Sequence, residues 1–143
     1  MSQQKIRNLT TLVALRNTEV ERLQTEMAEK ANTRERYQKN LERLTSLYTN
    51  SGASGNLHPA LAGNCGDYKQ AVMAMADSHR LDLHMHEADM AVSQQALNKA
   101  WAKREVMDMV LTKEQKVFDQ QKNVKERKQH DELATQVWLR GQK

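Results

Sequence analysis

The densest group of side chains able to do chemistry lies between residues 79 and 87. His79, His84 and His86 fall within eight residues, beside Asp82 and Glu87. His79 and His86 are seven apart and share one face of a helix, where two imidazoles could hold a metal ion. No further cysteine or histidine completes a set with zinc spacing. Polar histidines in or beside a helical seam are the simpler reading, and no metal is expected.

The remaining chemistry is sparser still. Cys65 is the only cysteine, so no intramolecular disulfide can form, which fits a reduced compartment. The glycines are not followed by the Gly-Lys-Ser/Thr of a phosphate-binding loop. No grouping of acid, base, nucleophile and oxyanion donors is visible, so neither catalysis nor a cofactor is expected. A pI near 9.3, with Lys122, Lys125, Arg127 and Lys128, raises the question of nucleic acid. Those bases are interleaved with Glu126, Asp131 and Glu132 and lack neighbouring aromatics for base stacking, so a solvated helix face explains them better. The methionines, among them Met73, Met85, Met107 and Met109, read mostly as adaptable packing.

What positions these residues is helix. Aromatics are 4% of the chain and mean hydropathy is −0.85, too little for an ordinary globular core. Ala, Gln, Lys, Glu, Leu, Met and Arg dominate, all good helix formers. Four of the five glycines and the only proline, Pro59, fall within residues 50–66. This clustering predicts one domain over 1–143: helix one over about 4–49, a connector over 50–66 and helix two over about 67–140. Helices of that length must hide their apolar stripes, and an all-α antiparallel coiled-coil hairpin is the simplest way. No apolar run approaches a membrane span and no signal-peptide core is visible, so a cytoplasmic protein is expected.

Periodicity supports the hairpin. With Ile6 at heptad position a, the a series runs Ile6, Val13, Val20, Met27, Arg34, Leu41, Tyr48. The d series runs Leu9, Arg16, Leu23, Lys30, Tyr37, Leu44. Ten of these thirteen positions are apolar, which is a specific coiled-coil signal. Helix two is less regular: Leu83, Met90, Leu97, Leu111 and Phe118 follow one stripe and Val110, Val117 and Val124 another, as in a drifting seam. A turn near residue 58 would place residue i opposite 116 − i, setting Tyr48 by Tyr68, Arg34 by Asp82 and Lys30 near Glu87.

Charge fits this pairing. Residues 1–50 hold 9 Lys/Arg against 6 Asp/Glu, whereas residues 67–111 hold 5 against 7, so a basic helix lies on an acidic one. Helix one runs out near residues 110–111, leaving an overhang of about 30 residues, roughly 45 Å of helix. That overhang carries Val117, Phe118, Val124, Leu133, Val137 and Trp138. An isolated helix with those residues needs a partner, and they form the first candidate binding surface, assigned to an ATPase ring once the following resemblance is taken into account. Trp101 meets the seam only in some registers, and Trp138 could equally belong to a loose terminus.

The pattern resembles the FliJ family of flagellar type III export. The likeness rests on Tyr37-Gln38-Lys39-Asn40-Leu41 with Leu44 and Tyr48, on Tyr68-Lys69-Gln70 with Val72 and Met75 through His79-Arg80-Leu81, and on Lys99-Ala100-Trp101. The resemblance implies a coiled-coil stalk similar to the central subunit of rotary ATPases. It implies binding to the hexameric export ATPase, with the end formed by the chain termini entering its ring. It also implies contact with the cytoplasmic part of the membrane export gate and escort of substrate-specific export chaperones. A monomer peripherally associated with the inner-membrane export apparatus is expected. The family's gate-docking patch corresponds to Tyr37, Leu41, Leu44, Tyr48, Tyr68, Val72, Met75 and His79; Tyr37 stands where a Gln can occur and Leu44 where a Tyr can. The heptad places these same residues in the seam, and seam burial is favoured over an exposed docking stripe. The nearest alternatives are an injectisome stalk homologue and a generic coiled-coil spacer or adaptor.

Overall fold

The structure, a computed structural model, describes residues 2–50 and 59–142. Helix α1 spans Ser2–Asn50 and α2 spans Pro59–Gly141, and the described residues contain no strand. The two pack as an antiparallel helical hairpin. Of the connector expected over 50–66, residues 51–58 lie outside the described residues, and the rest needs correction. Asn50 ends α1 and residues 59–66 already belong to α2. Pro59 opens the helix because proline's fixed φ suits a first helical turn and its missing N–H would be unpaired there anyway. Gly63 and Gly66 are tolerated inside the helix at a cost in backbone entropy.

The hairpin divides into two compact units. One comprises Met1–Glu21 with Lys99–Lys143, the other Arg22–Asn98. In the first, Lys5 Nζ lies 3.1 Å from Glu114 Oε1, and Val20 and Ala100 are the buried core, Val20 at 1% exposure. In the second, Val72 and Ala76 are buried, Lys30 Nζ lies 2.8 Å from Asp89 Oδ2, and Arg34 Nε lies 3.4 Å from Glu87 Oε1. Each cross-helix pair sets a base of α1 against an acid of α2, as the charge pattern implied. Such solvent-screened pairs are weak individually and act mainly by choosing alignment.

That alignment differs from the expected one. The residue numbers of the three pairs add to 119, 119 and 121, not 116. Arg34 therefore meets Glu87 rather than Asp82, and Lys30 meets Asp89 rather than Glu87. A mirror sum of 120 carries all thirteen α1 seam positions onto α2 positions that are buried or half-buried. A sum of 116 would put Tyr48 on Tyr68, which is exposed. Eleven of the thirteen α1 positions are themselves buried or half-buried, with Arg34 and Tyr48 the exceptions.

The seam of α2 does not drift. From Cys65 to Phe118 the less exposed residues follow alternating steps of four and three without a break. One series is Lys69, Ala76, Leu83, Met90, Leu97, Arg104, Leu111, Phe118. The other is Cys65, Val72, His79, His86, Ser93, Ala100, Met107, Glu114. This second series is small or polar at most positions, so it carries no apolar signal. Val110, Val117 and Val124, expected as the second stripe, are exposed instead.

Candidate partner-binding surfaces

The histidine group resolves into seam and surface. His84 is exposed, while His79 and His86 occupy successive seam positions. His86 Nε2 lies 2.8 Å from the Lys30 carbonyl oxygen, and its ring centroid is 5.6 Å from that of Tyr37. His79 Nδ1 is buried without a hydrogen-bond partner among the described residues. No three His, Cys, Asp or Glu among the described residues are grouped so as to hold a metal ion. Lys30 Nζ also donates to Ser93 Oγ at 2.6 Å. The Lys30 ammonium, first by hydrogen bond and then by its charge, holds the Asp89 carboxyl below its ordinary range.

The eight residues matched to a gate-docking patch separate into two sets. Val72 is buried, and Tyr37, Leu41, Leu44 and His79 are half-buried in the seam. Tyr48, Tyr68 and Met75 are exposed, at 39%, 46% and 54%. Val72 and Ala76 are buried in the layers nearest the end of α1. Lys69 Nζ sits 5.5 Å from the Tyr48 ring centroid, a cation–π contact that fixes this ring beside the seam. Leu47 and Met73 are also exposed, Met73 on the other flank of the seam from Tyr68 and Met75. They were not expected, because the heptad assigns them to neither seam position.

The C-terminal surface begins later than the sequence indicates. Phe118 is half-buried and Glu114 pairs with Lys5, so pairing extends past residues 110–111. A mirror sum of 120 sets Ser2, the first residue of α1, opposite Phe118. Beyond it, the seam positions of α2 become Gln121, Lys125, Lys128, Glu132 and Thr135, with no apolar side chain to bury before Leu139. Every residue from 119 to 142 is exposed, and the helical part, to Gly141, is about 34 Å long at 1.5 Å per residue. Val124, Leu133, Val137 and Trp138 are more than half exposed and Val117 is 39% exposed, whereas Phe118 belongs to the last seam layer. Trp101 is also exposed, with the Arg104 guanidinium 5.7 Å from its ring centroid. Among the described residues no helix is long and apolar enough to cross a membrane.

These surfaces are apolar patches on polar helices, and what they can do is bind. A family model described as "Flagellar FliJ protein" matches residues 4–143. No curated protein and no solved structure matches the chain.

Proposed function

Because the chain belongs to the FliJ family and is thereby a component of flagellar type III export, we propose that it serves the export machinery as a non-enzymatic stalk. Its C-terminal helix occupies the ring of the hexameric export ATPase, and its loop-proximal end docks on the cytoplasmic part of the export gate. Through the same contacts it takes part in returning substrate-specific chaperones to the apparatus.

The observation that carries this reading is the unpaired end of α2. For the 23 helical residues after Phe118 no α1 residue lies opposite, yet Leu133, Val137 and Trp138 project from the helix. A lone helix exposing a tryptophan at 63% is unfavourable in water and favourable inside an apolar-lined pore. Support for gate docking comes from Tyr48, Tyr68 and Met75, aromatic and soft side chains exposed close to the buried Val72.

The test is ATP hydrolysis by the purified cognate export ATPase, with and without the full chain, alongside electron microscopy of its rings. Increased turnover and more hexamers are expected, and a chain ending at residue 118 should lose both effects while keeping its helical hairpin. Unchanged turnover and ring count with the full chain would overturn the assignment.

A further inference from the structure

The outer face of α2, turned away from α1, carries a second heptad stripe. Ala74, Ser78, Leu81, Met85, Ala88 and Val92 follow each other at steps of four and three, in phase with the seam but on the opposite side of the helix. All are exposed, and Leu81, Met85 and Val92 stand at 61%, 64% and 66%. These are distinct from Tyr48, Tyr68 and Met75 and from the tail. A solvated face of a hairpin has no need for Leu, Met and Val at helical spacing.

The charges bordering this stripe have one sign. Asp82 and Asp89 flank Met85 on one side, three residues before and four after, and Asp77 lies on the other side. Between residues 70 and 98 the only Lys or Arg is Arg80, which lies at the seam edge and pairs with Asp77 at 2.7 Å. Asp89 pairs with Lys30, and Asp82 is in no ion pair among the described residues. The next stripe positions are Gln95 and Lys99, so the contiguous acidic, apolar stretch ends at Val92, before Ala102, Val106 and Met109 follow at the same spacing.

From this we infer that the Leu81–Val92 face docks a basic amphipathic helix, three to four turns long, with apolar residues at helical spacing and Lys or Arg on its borders. A second copy of the chain is the wrong occupant. Two such faces brought together would oppose aspartate to aspartate, and the Leu81–Val92 face, about 16 Å long, is too short for the roughly 1,600 Å² buried in a stable interface. Anionic membrane is likewise the wrong occupant, because the bordering aspartates repel it. A short, charge-complementary helix gains apolar burial at Met85 and attraction from Asp82, and an interface of this size is transient.

The probe is a 14-residue peptide of leucine and lysine with leucines at helical spacing. It is titrated into the full chain labelled with 13C at the methionine methyls. Saturable shifts at Met85 are expected, with Met27 and Met90 in the seam unmoved. Met85→Gln with Val92→Gln should weaken binding about tenfold or more, and Asp82→Lys, which touches no packing, should weaken it severalfold. A leucine–glutamate peptide of the same spacing, and a leucine–lysine peptide of alternating pattern, should leave Met85 unmoved. The inference is overturned if the glutamate peptide binds equally or if both variants bind like the parent. It is also overturned if the shifts fall on Met73 and Met75, if anionic vesicles alone shift Met85, or if Met85 shifts with protein concentration in the absence of peptide. None of these readouts depends on the ATPase, so this inference and the stalk reading can fail separately.

Discussion

His86 Nε2 lies 2.8 Å from the main-chain carbonyl oxygen of Lys30, while the ammonium of the same lysine reaches Asp89 at 2.8 Å and Ser93 at 2.6 Å. Lys30 is thus held from both its backbone and its side chain by three residues of α2. The carbonyl already accepts its helical hydrogen bond, so the imidazole donates to the second lone pair as Nε2–H. An apolar seam alone is nearly degenerate under a shift of one heptad, whereas this arrangement is satisfied in one register only. Lys30→Met should therefore keep the helices paired but loosen their alignment. With Cys65→Ser, spin labels at Gln24 and Gln95 should give one distance in the parent. In the variant they should give an added population at longer distance, from labels offset along the helix axis by about 10 Å, one heptad of rise. A single unchanged distance would show that the apolar layers set the register unaided.

The Lys30–Asp89 pair also has a pH signature. The hydrogen bond and charge of Lys30 lower the Asp89 pKa in the folded state. A depressed carboxylate contributes stability that is present above the unfolded value, about 4, and is lost as the pH falls through the lower folded value. Asp89→Asn should consequently lower the urea midpoint at pH 7 relative to the parent, and the gap should close by about pH 2. Equal gaps at both pH values would mean that the aspartate acts by shape rather than charge.

The start of α2 offers a test of where the connector ends. Gly63 and Gly66 lie inside the helix, and a Cβ built on either meets nothing within 4 Å. Alanine at each should raise stability by about 0.5–1 kcal/mol, because glycine loses more backbone freedom on entering a helix. Hydrogen-exchange protection over residues 63–70 should rise in parallel. No change in either quantity would place these residues outside the helix in solution.

How much of this was legible in the sequence differs between the helices. The α1 seam reads directly, because eight of its positions are Leu, Ile, Val or Met and heptad period survives the interruptions at Arg16, Lys30 and Arg34. The α2 seam is as strict but half hidden. His79, His86, Ser93, Ala100 and Glu114 are seam residues by position and not by type. Their partners do the filling: Ser93 mirrors Met27 and Ala100 mirrors Val20 across the hairpin. A pattern search that scores apolarity sees the exposed Val110, Val117 and Val124 instead. With that stripe hidden, the two seams can be matched at either of two offsets about one turn apart. The start of α2 is hidden in the sequence for a different reason: Pro59 reads as a helix breaker but is the first helical residue. For the gate-docking patch, the choice between burial and exposure was not legible at all, since Tyr68 and Val72 are both apolar and four residues apart, and only the mirror register separates them.

His79 tests that separation. Its Nδ1 is buried with no partner among the described residues, and the residue sits in a seam series between the buried Val72 and half-buried His86. A buried polar atom left unpaired is destabilising, and leucine fills a seam position without that penalty, so His79→Leu should raise stability by about 1 kcal/mol. If His79 acts only by packing, gate binding measured with the purified cytoplasmic part of the gate should persist in this variant. Tyr68→Ala and Met75→Ala should behave in the opposite way. Both side chains are largely exposed, so stability should stay within about 0.5 kcal/mol while gate binding weakens severalfold. Were His79→Leu to abolish gate binding at raised stability, the imidazole would itself touch the gate, and the seam would have to open there for docking to occur.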